Sequence, residues 1–336
     1  MRALVTGAAG FIGSHLCGTL LEQGIEVLGV DDLSIGRVSN LHEITGDKRF
    51  KFLELDITNS NVSKELGLNF TYIFHLAALA DIVPSIKDPA RYAQVNIQGT
   101  INMLEIARTC KVRKFVYAAS SSCYGITKEL PTPEGAQIAP EYPYALTKYL
   151  GELAVLHWNR VYSLPTISLR LFNVYGPRAR TSGTYGAVFG VFLAQLLAGT
   201  PLTVVGDGTQ TRDFTFVTDV VEAFISAAKS GIEGDIFNVG SGGTYSVNEL
   251  VKLLGAKTVN IPKRPGEPDC TFADIEKINR VLGWRPRVSF EGGVKKLLED
   301  LESWRNSPVW TPESIQRETE LWFHFLNQKD SKLNNE

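Results

Sequence analysis

Tyr144 and Lys148 stand four residues apart in PYALTKYLGE, a stretch opened by Pro143, so in a helix both side chains project from one face. A phenol titrates near pH ~10 and is a poor base at neutrality, but an ammonium one turn away favours the phenolate, which can take a proton from a hydroxyl. With 11 tyrosines in the chain, such a spacing also arises by chance. Position adds weight. The run before it, YAASSSCYG, ends a strand in serines and offers Ser120 as a donor to an oxygen that is turning into a carbonyl. The bland alternative is a surface Tyr and Lys beside a Ser-rich turn.

Oxidation by that pair needs a hydride acceptor, and the amino terminus carries a signal for one. TGAAGFIG sets Gly7, Gly10 and Gly13 at a strand-to-helix turn, where the backbone can approach a pyrophosphate and the helix terminus offers N–H groups. A tight turn without a ligand needs the same glycines, so support must come from elsewhere. Asp31 and Asp32 follow about 20 residues later, at a strand end where a carboxylate accepts from ribose hydroxyls. A carboxylate there repels a 2′-phosphate and no Arg follows immediately, which favours NAD over NADP. Asp56 and Ile57, closing the third strand, lie either against adenine or in a plain strand-end turn.

These side chains require a scaffold that ends strands at one edge. Short β-branched runs at 3–6, 26–30, 51–55, 72–75, 114–118, 166–170 and 236–239 alternate with helical patterns such as 11–23 and 95–108. That alternation predicts an α/β protein: a Rossmann-like, doubly wound parallel sheet with a smaller C-terminal substrate-binding domain. Residues 1–172, with 213–240 returning, are expected to form the NAD-binding domain. Gly, Pro, Thr and aromatic residues crowd much of 173–212 and 241–325, the expected lid. Near the carboxy terminus Thr311, Pro312 and Glu313 read as a helix start, followed by an apolar stripe of Ile315, Trp322, Phe325 and Leu326. That helix is expected to pack on the body of the protomer. The polar stretch 326–336 is expected to be disordered.

Bulk properties narrow the class. The chain has 336 residues, 44% hydrophobic, enough for a large core, and its formal net charge of -2 without a long basic run argues against nucleic acid as partner. Cys17, Cys110, Cys123 and Cys270 show no paired spacing, and His15, His42, His75 and His157 no metal-ligand spacing, so no metal site is expected and these histidines read as structural. His75, at a strand end, is expected to be a satisfied core residue. With no secretory pattern and no membrane-length apolar run, a cytoplasmic protein is expected.

Taken together, TGAAGFIG, VDDLS, LDI, HLAA, AASSSCYG, YALTK, RLFNVYGP, GDGTQTRDFTFVTD, NVGSG and RPGEPD make residues 1–325 resemble an extended short-chain dehydrogenase/reductase of the nucleotide-sugar epimerase and dehydratase branch. The resemblance implies Ser120, Tyr144 and Lys148 as the catalytic set. It implies NAD contacts at Gly7, Gly10, Phe11, Ile12, Gly13, Asp31, Asp32, Asp56, Ile57, Leu76, Ala77, Ala78 and Phe172, besides Tyr144 and Lys148. Sugar 4,6-dehydratases carry Asp-Glu after that Ser or Thr, and related decarboxylases a Glu; here Ser121 and Ser122 stand there, which disfavours elimination. On the substrate side the resemblance implies Ser121 and Glu267, with Asn173, Arg212 and Arg264 gripping a nucleotide diphosphate. Val188 and Phe189 match positions beside the base, although Val188 replaces a polar residue of the galactose epimerases, and Ala80 stands where those have a Lys. Thr271, seven beyond Arg264, would flank the carbon 2 substituent and leave room for an N-acetyl group, or merely pack under the lid.

The expected activity is inversion at carbon 4 of a UDP-hexose or UDP-N-acetylhexosamine through a 4-keto intermediate. Rivals are inversion at another carbon, dehydration and, from another class, a silent NAD sensor. The resemblance also implies a homodimer paired through helices at 101–109 and 149–162.

Overall fold

The computed structural model describes residues 1–59, 61–179 and 188–333, with side chains placed as far as residue 327. Seven parallel strands form its main sheet: β1 (Arg2–Thr6), β2 (Glu26–Asp31), β3 (Phe50–Glu54), β4 (Tyr72–His75), β5 (Lys114–Ser120), β6 (Thr166–Leu171) and the strand Asp235–Val239. Across the sheet they run Asp235–Val239, β6, β5, β4, β1, β2, β3. Chain order therefore proceeds outward from β1 in one direction, then restarts at β4 and proceeds in the other. The reversal opens a crevice beyond the carboxyl ends of β1 and β4, the place where such sheets bind ligands. Thr6 pairs with Val30 on one side and His75 on the other, so the carboxyl ends of three strands line that edge.

One face of the sheet is covered by helices Phe11–Glu22 and Val217–Lys229, whose Leu16, Leu20, Val220 and Phe224 pack on Val5, Phe74 and Val116. Helices Gly99–Cys110 and Pro143–Tyr162 cover the other, through Met103, Leu104 and Val155 on Leu4, Ile73 and Phe115. A second core holds the carboxy-terminal half. There Tyr175, Phe189, Phe214, Phe216 and Phe290 gather around two short parallel pairs, Asn173–Tyr175 with Phe214–Phe216 and Leu202–Val205 with Thr258–Ile261.

Three expectations need correction. The helical pattern at 95–108 is a wide turn over Gln94–Gln98 followed by the helix Gly99–Cys110, because the Asn96 amide turns inward to bond both backbone groups of Leu79. The stretch expected to be disordered after Phe325 continues the helix Pro312–Leu333, and 334–336 lie outside the described residues. Its start is capped, with the Ser314 N–H donating to the Thr311 hydroxyl and Pro312 at the first helical position; once nucleated, the helix propagates through Leu, Gln and Lys. Phe325 is also 53% exposed, while Ile315, Trp322 and Leu326 are buried: the inward face follows steps of seven and four, which place 325 outside it.

Candidate active site

β5 delivers Ser120 at the crevice edge, and the next residues, Ser121–Tyr124, form one tight 3-10 turn. The Ser120 hydroxyl lies 2.8 Å from that of Ser122 and accepts from the Ser122 N–H at 3.2 Å. Opposite, the helix Pro143–Tyr162 starts with Pro at its first position and places Tyr144 and Lys148 toward the sheet. Burial pushes the Tyr144 phenol above its ordinary value, and the nearby Ser120 hydroxyl works against that rise. Lys148 is buried, with its Nζ 4.3 Å from the centre of the Tyr117 ring on β5. Desolvation brings its ammonium down to about 7, against the opposing charge of Glu152 one turn on. A lysine poised near neutrality one helical turn from a phenol that lies near a serine hydroxyl is an arrangement for moving one proton.

At the switch point lies a cavity of about 360 Å³ lined by Gly7, Gly10, Phe11, Ile12, Gly13, Asp31, Asp32, Asp56, Ile57, Leu76, Ala77 and Ala78. Those are the expected NAD contacts, except for three. Tyr144 and Lys148 are not part of the lining, although Asp81, which is, lies within electrostatic reach of the Tyr144 phenol. Phe172 is elsewhere: it is buried against Cys123, Tyr124 and Ala273 on the lid side of the sheet, because the strand ahead of it ends at Leu171.

The cavity fits a dinucleotide. Gly7 has φ +73° and a Cβ on it would stand 2.8 Å from the Ala77 nitrogen; a Cβ on Gly13 would collide with the Gly7 carbonyl. Among the described residues, the first turn of the Phe11–Glu22 helix has neither a side-chain cap nor an acidic residue, so its N–H groups suit an anion. Asp31 already accepts from the Ala9 and Leu33 N–H groups, at 3.0 and 2.9 Å, which holds the glycine turn to β2. Further lone pairs remain for ribose hydroxyls. Asp56 accepts from the Thr58 N–H at 2.8 Å while lining the cavity, so the strand-end turn and the ligand-facing position coexist. His75 is a core residue, bonded to Thr6 and Thr100 at 2.7 and 3.0 Å and held neutral by burial, which takes it to about 3.

A second cavity, of about 420 Å³, is lined by Arg212, Glu267, Lys263 and Asp207. Tyr142 joins it to the proton-transfer group, stacked on Tyr144 at 6.4 Å and within electrostatic reach of Arg212 and Glu267. Arg264 pairs with Glu267 at 3.2 Å. Val188 and Phe189 begin the helix Val188–Leu197; the Phe189 ring stacks on Tyr175 at 4.5 Å and lines the first cavity, not the second. Ser121 lies in the turn after Ser120, partly exposed. The Thr271 hydroxyl donates to the Asn173 side-chain oxygen at 2.8 Å and accepts from the Asp213 N–H at 3.1 Å, so both roles are taken within the protein.

Two contributors escaped the sequence reading. Arg91 stands 3.9 Å from Asp32 and 3.5 Å from Asp56, at the cavity rim, although nothing near VDDLS announces it. Asn96 bonds Leu79 and the Thr147 hydroxyl at 3.0 Å, bracing the HLAA loop against the helix that carries Tyr144; a polar residue inside an apolar helical run was the available signal.

A model of the NAD dependent epimerase/dehydratase family matches residues 3–240. The chain is 40% identical over 308 residues to the UDP-glucose 4-epimerase of Mycolicibacterium smegmatis, covering 89% of this chain and 98% of that protein. Among solved structures it is similar to a UDP-glucose 4-epimerase with UDP-glucose from Thermotoga maritima, at TM-score 0.84 and 37% identity, covering 90% and 99% of the two chains. It is also similar to the UDP-glucuronic acid 4-epimerase of Bacillus cereus in complex with UDP-glucuronic acid and NAD, at TM-score 0.84 and 34% identity over 90% and 99%.

Proposed function

The chain belongs to the NAD dependent epimerase/dehydratase family, and from that premise we propose that it inverts carbon 4 of a UDP-hexose or UDP-N-acetylhexosamine. The observation that carries the reading is the Tyr144 phenol facing Ser120 closely enough to feel its hydroxyl, with the buried Lys148 one turn along and serines at 121 and 122. Tyr144 takes the proton of the carbon 4 hydroxyl, and Ser120 donates to that oxygen as it becomes a carbonyl. Lys148, protonated, favours the phenolate. NAD, when bound, supplies reversible hydride acceptance. Hydroxyls at Ser121 and Ser122 cannot provide the acid and base that expel water, which supports epimerisation over dehydration.

Arg212, Arg264 and Asn173 are assigned to the nucleotide diphosphate, with Glu267 and Ser121 nearby and Val188 and Phe189 toward the base. In this reading the first cavity is the cofactor's, 1–172 with 213–240 form the NAD-binding domain and 173–212 with 241–325 the lid, which adds Val174, Tyr175, Phe189 and Trp310 to the cavity's lining. The small Thr271 supports acceptance of an N-acetyl group by leaving space; its engaged hydroxyl contributes no bond to the amide. The reading includes a homodimer working in the cytoplasm. Incubation with UDP-glucose and UDP-N-acetylglucosamine in deuterated buffer, with products read by NMR, tests it. The carbon 4 epimer without deuterium, and no net use of NADH, is expected. Deuterium in the product places the chemistry at carbon 3 or 5, and stoichiometric NADH consumption makes the protein a reductase.

A further inference from the structure

The C-terminal helix Pro312–Leu333 runs across the loop that holds Arg264. Trp322, buried in that helix, donates its indole N–H to the Pro265 carbonyl at 2.7 Å. The face of the same indole receives the Arg264 guanidinium, 5.4 Å from the ring centre. One turn on, Leu326 lies 3.4 Å from where a Cβ on Gly266 would be, so consecutive loop residues 264, 265 and 266 all meet this helix. Its other side is anchored to the body. Trp322 and Leu326 pack with Val83, Ile82 and Ile86 of the helix Ile82–Lys87, and Glu318 pairs with Lys87 at 3.3 Å.

Arg264 thus has its carboxylate partner, Glu267, on its own loop and its aromatic partner on another element. A guanidinium on a flexible stem is useful for holding phosphate only when its plane is fixed, and stacking on an indole fixes a plane. With its side chain 10% exposed, Arg264 has little freedom to adopt another orientation. The Trp322 N–H bond to the next carbonyl fixes the backbone from which the stem departs.

We propose that Trp322 is a positioning residue for the nucleoside diphosphate, acting through Arg264 by fixing both the plane of its guanidinium and the backbone of its loop. The proposal rests on the assignment of Arg264 to the diphosphate. It predicts a selective effect, because Trp322 touches Arg264 and its loop and not Tyr144, Lys148 or Ser120.

The test measures binding of uridine diphosphate to the full chain by calorimetry, with KM and kcat for UDP-glucose, in Trp322→Leu, Trp322→Phe, Arg264→Gln and the double variant Arg264→Gln/Trp322→Leu. Trp322→Leu is expected to weaken binding and raise KM roughly tenfold while kcat stays within about twofold. Trp322→Phe, which keeps a ring and loses the N–H, is expected to lose roughly threefold. The double variant should bind no more weakly than Arg264→Gln alone, since Trp322 acts through that side chain. Additive losses in the double variant, or a fall in kcat with KM unchanged, overturn the proposal. Loss of binding in Arg264→Gln with none in either Trp322 variant overturns it while leaving the assignment of Arg264 intact. Unchanged binding in Arg264→Gln removes that assignment and the proposal with it. Should Trp322→Leu fail to fold, Trp322→Phe alone and combined with Arg264→Gln decides by the same signs.

Discussion

Tyr144 and Lys148 divide one task between them, and each is sensitive to different conditions. Replacing Tyr144 by Phe removes the proton acceptor and leaves the ring that fills the site, so kcat is expected to fall by roughly 10²–10⁴ while the purified protein keeps its NAD. Activity near that of the parent, measured on a UDP-sugar it accepts, would end the acid–base assignment. For Lys148 the effect is on stability as well. Its ammonium titrates at about 7 in the fold, below the ordinary 10.5, because burial disfavours the charge. Between those values the unfolded chain holds a proton that the folded chain has lost, so stability rises with pH across that window, and the full penalty applies below it. Cofactor-free Lys148→Met is therefore expected to be more stable than the parent at pH 6, with the gap narrowing toward pH 10. Thermal melts across that range check the sign, and a gap that widens would refute it. Both residues could be read from their spacing; the near-neutral ammonium could not, since it depends on how completely the fold buries the side chain against the opposing charge of Glu152.

At the scale of elements, the catalytic helix is fastened to the sheet by charge as well as by packing. Glu152, one turn beyond Lys148, receives the Arg170 side chain of β6 at 2.6 Å and the Ser168 hydroxyl at 2.8 Å, with both partners of the ion pair nearly excluded from solvent. Arg170 continues to the Tyr124 hydroxyl and the Glu134 carbonyl, so the turn that follows Ser120 hangs on the same cation. Glu152→Gln leaves that cation without its counter-charge in the interior, and a loss of about 3–5 kcal/mol is expected. A denaturation midpoint equal to that of the parent would show that Arg170 finds another partner. The seven strands of the sheet were legible as short runs, most plainly the central ones, where burial on both faces writes an uninterrupted apolar signal; the edge strand Phe50–Glu54 is mostly exposed and carries no β-branched residue. The lid strands were not, since Asn173–Tyr175 and Phe214–Phe216 are three residues each and too short to show a period. The wide turn at Gln94–Gln98 was hidden for another reason: the apolar helical period runs straight through it, and only the tertiary partners of Asn96 reveal why the backbone swells there. Glu152 and Arg170 are 18 residues apart on different elements, and no local pattern joins them.

Seen as a whole, the molecule leaves uncovered an apolar stripe that shares no residue with the lining of either cavity described above. Along the helix Pro143–Tyr162, Leu146, Leu150, Leu153 and Val161 are exposed by 44%, 37%, 42% and 50%, at steps of four, three and eight that keep them on the outward face. Tyr162, 49% exposed, extends that face beneath Arg108 of the neighbouring helix Gly99–Cys110. Apolar side chains in register on one outward face, with Tyr144 and Lys148 on the inward one, are what a two-fold helix pairing would bury. Such a pairing would couple assembly to the site, because the helix that meets its symmetry mate is the one that carries the proton-transfer pair. Leu153→Glu puts a charge at the middle of the stripe, two turns from Tyr144 and outside its contacts. The parent chain is expected to run as a dimer in light scattering at micromolar concentration and Leu153→Glu as a monomer. Because the site is exposed in the single chain, the substitution should change the protomer's own stability by no more than about 0.5 kcal/mol. A parent that is monomeric at that concentration, or a variant that stays dimeric, would show that this face has some other cover.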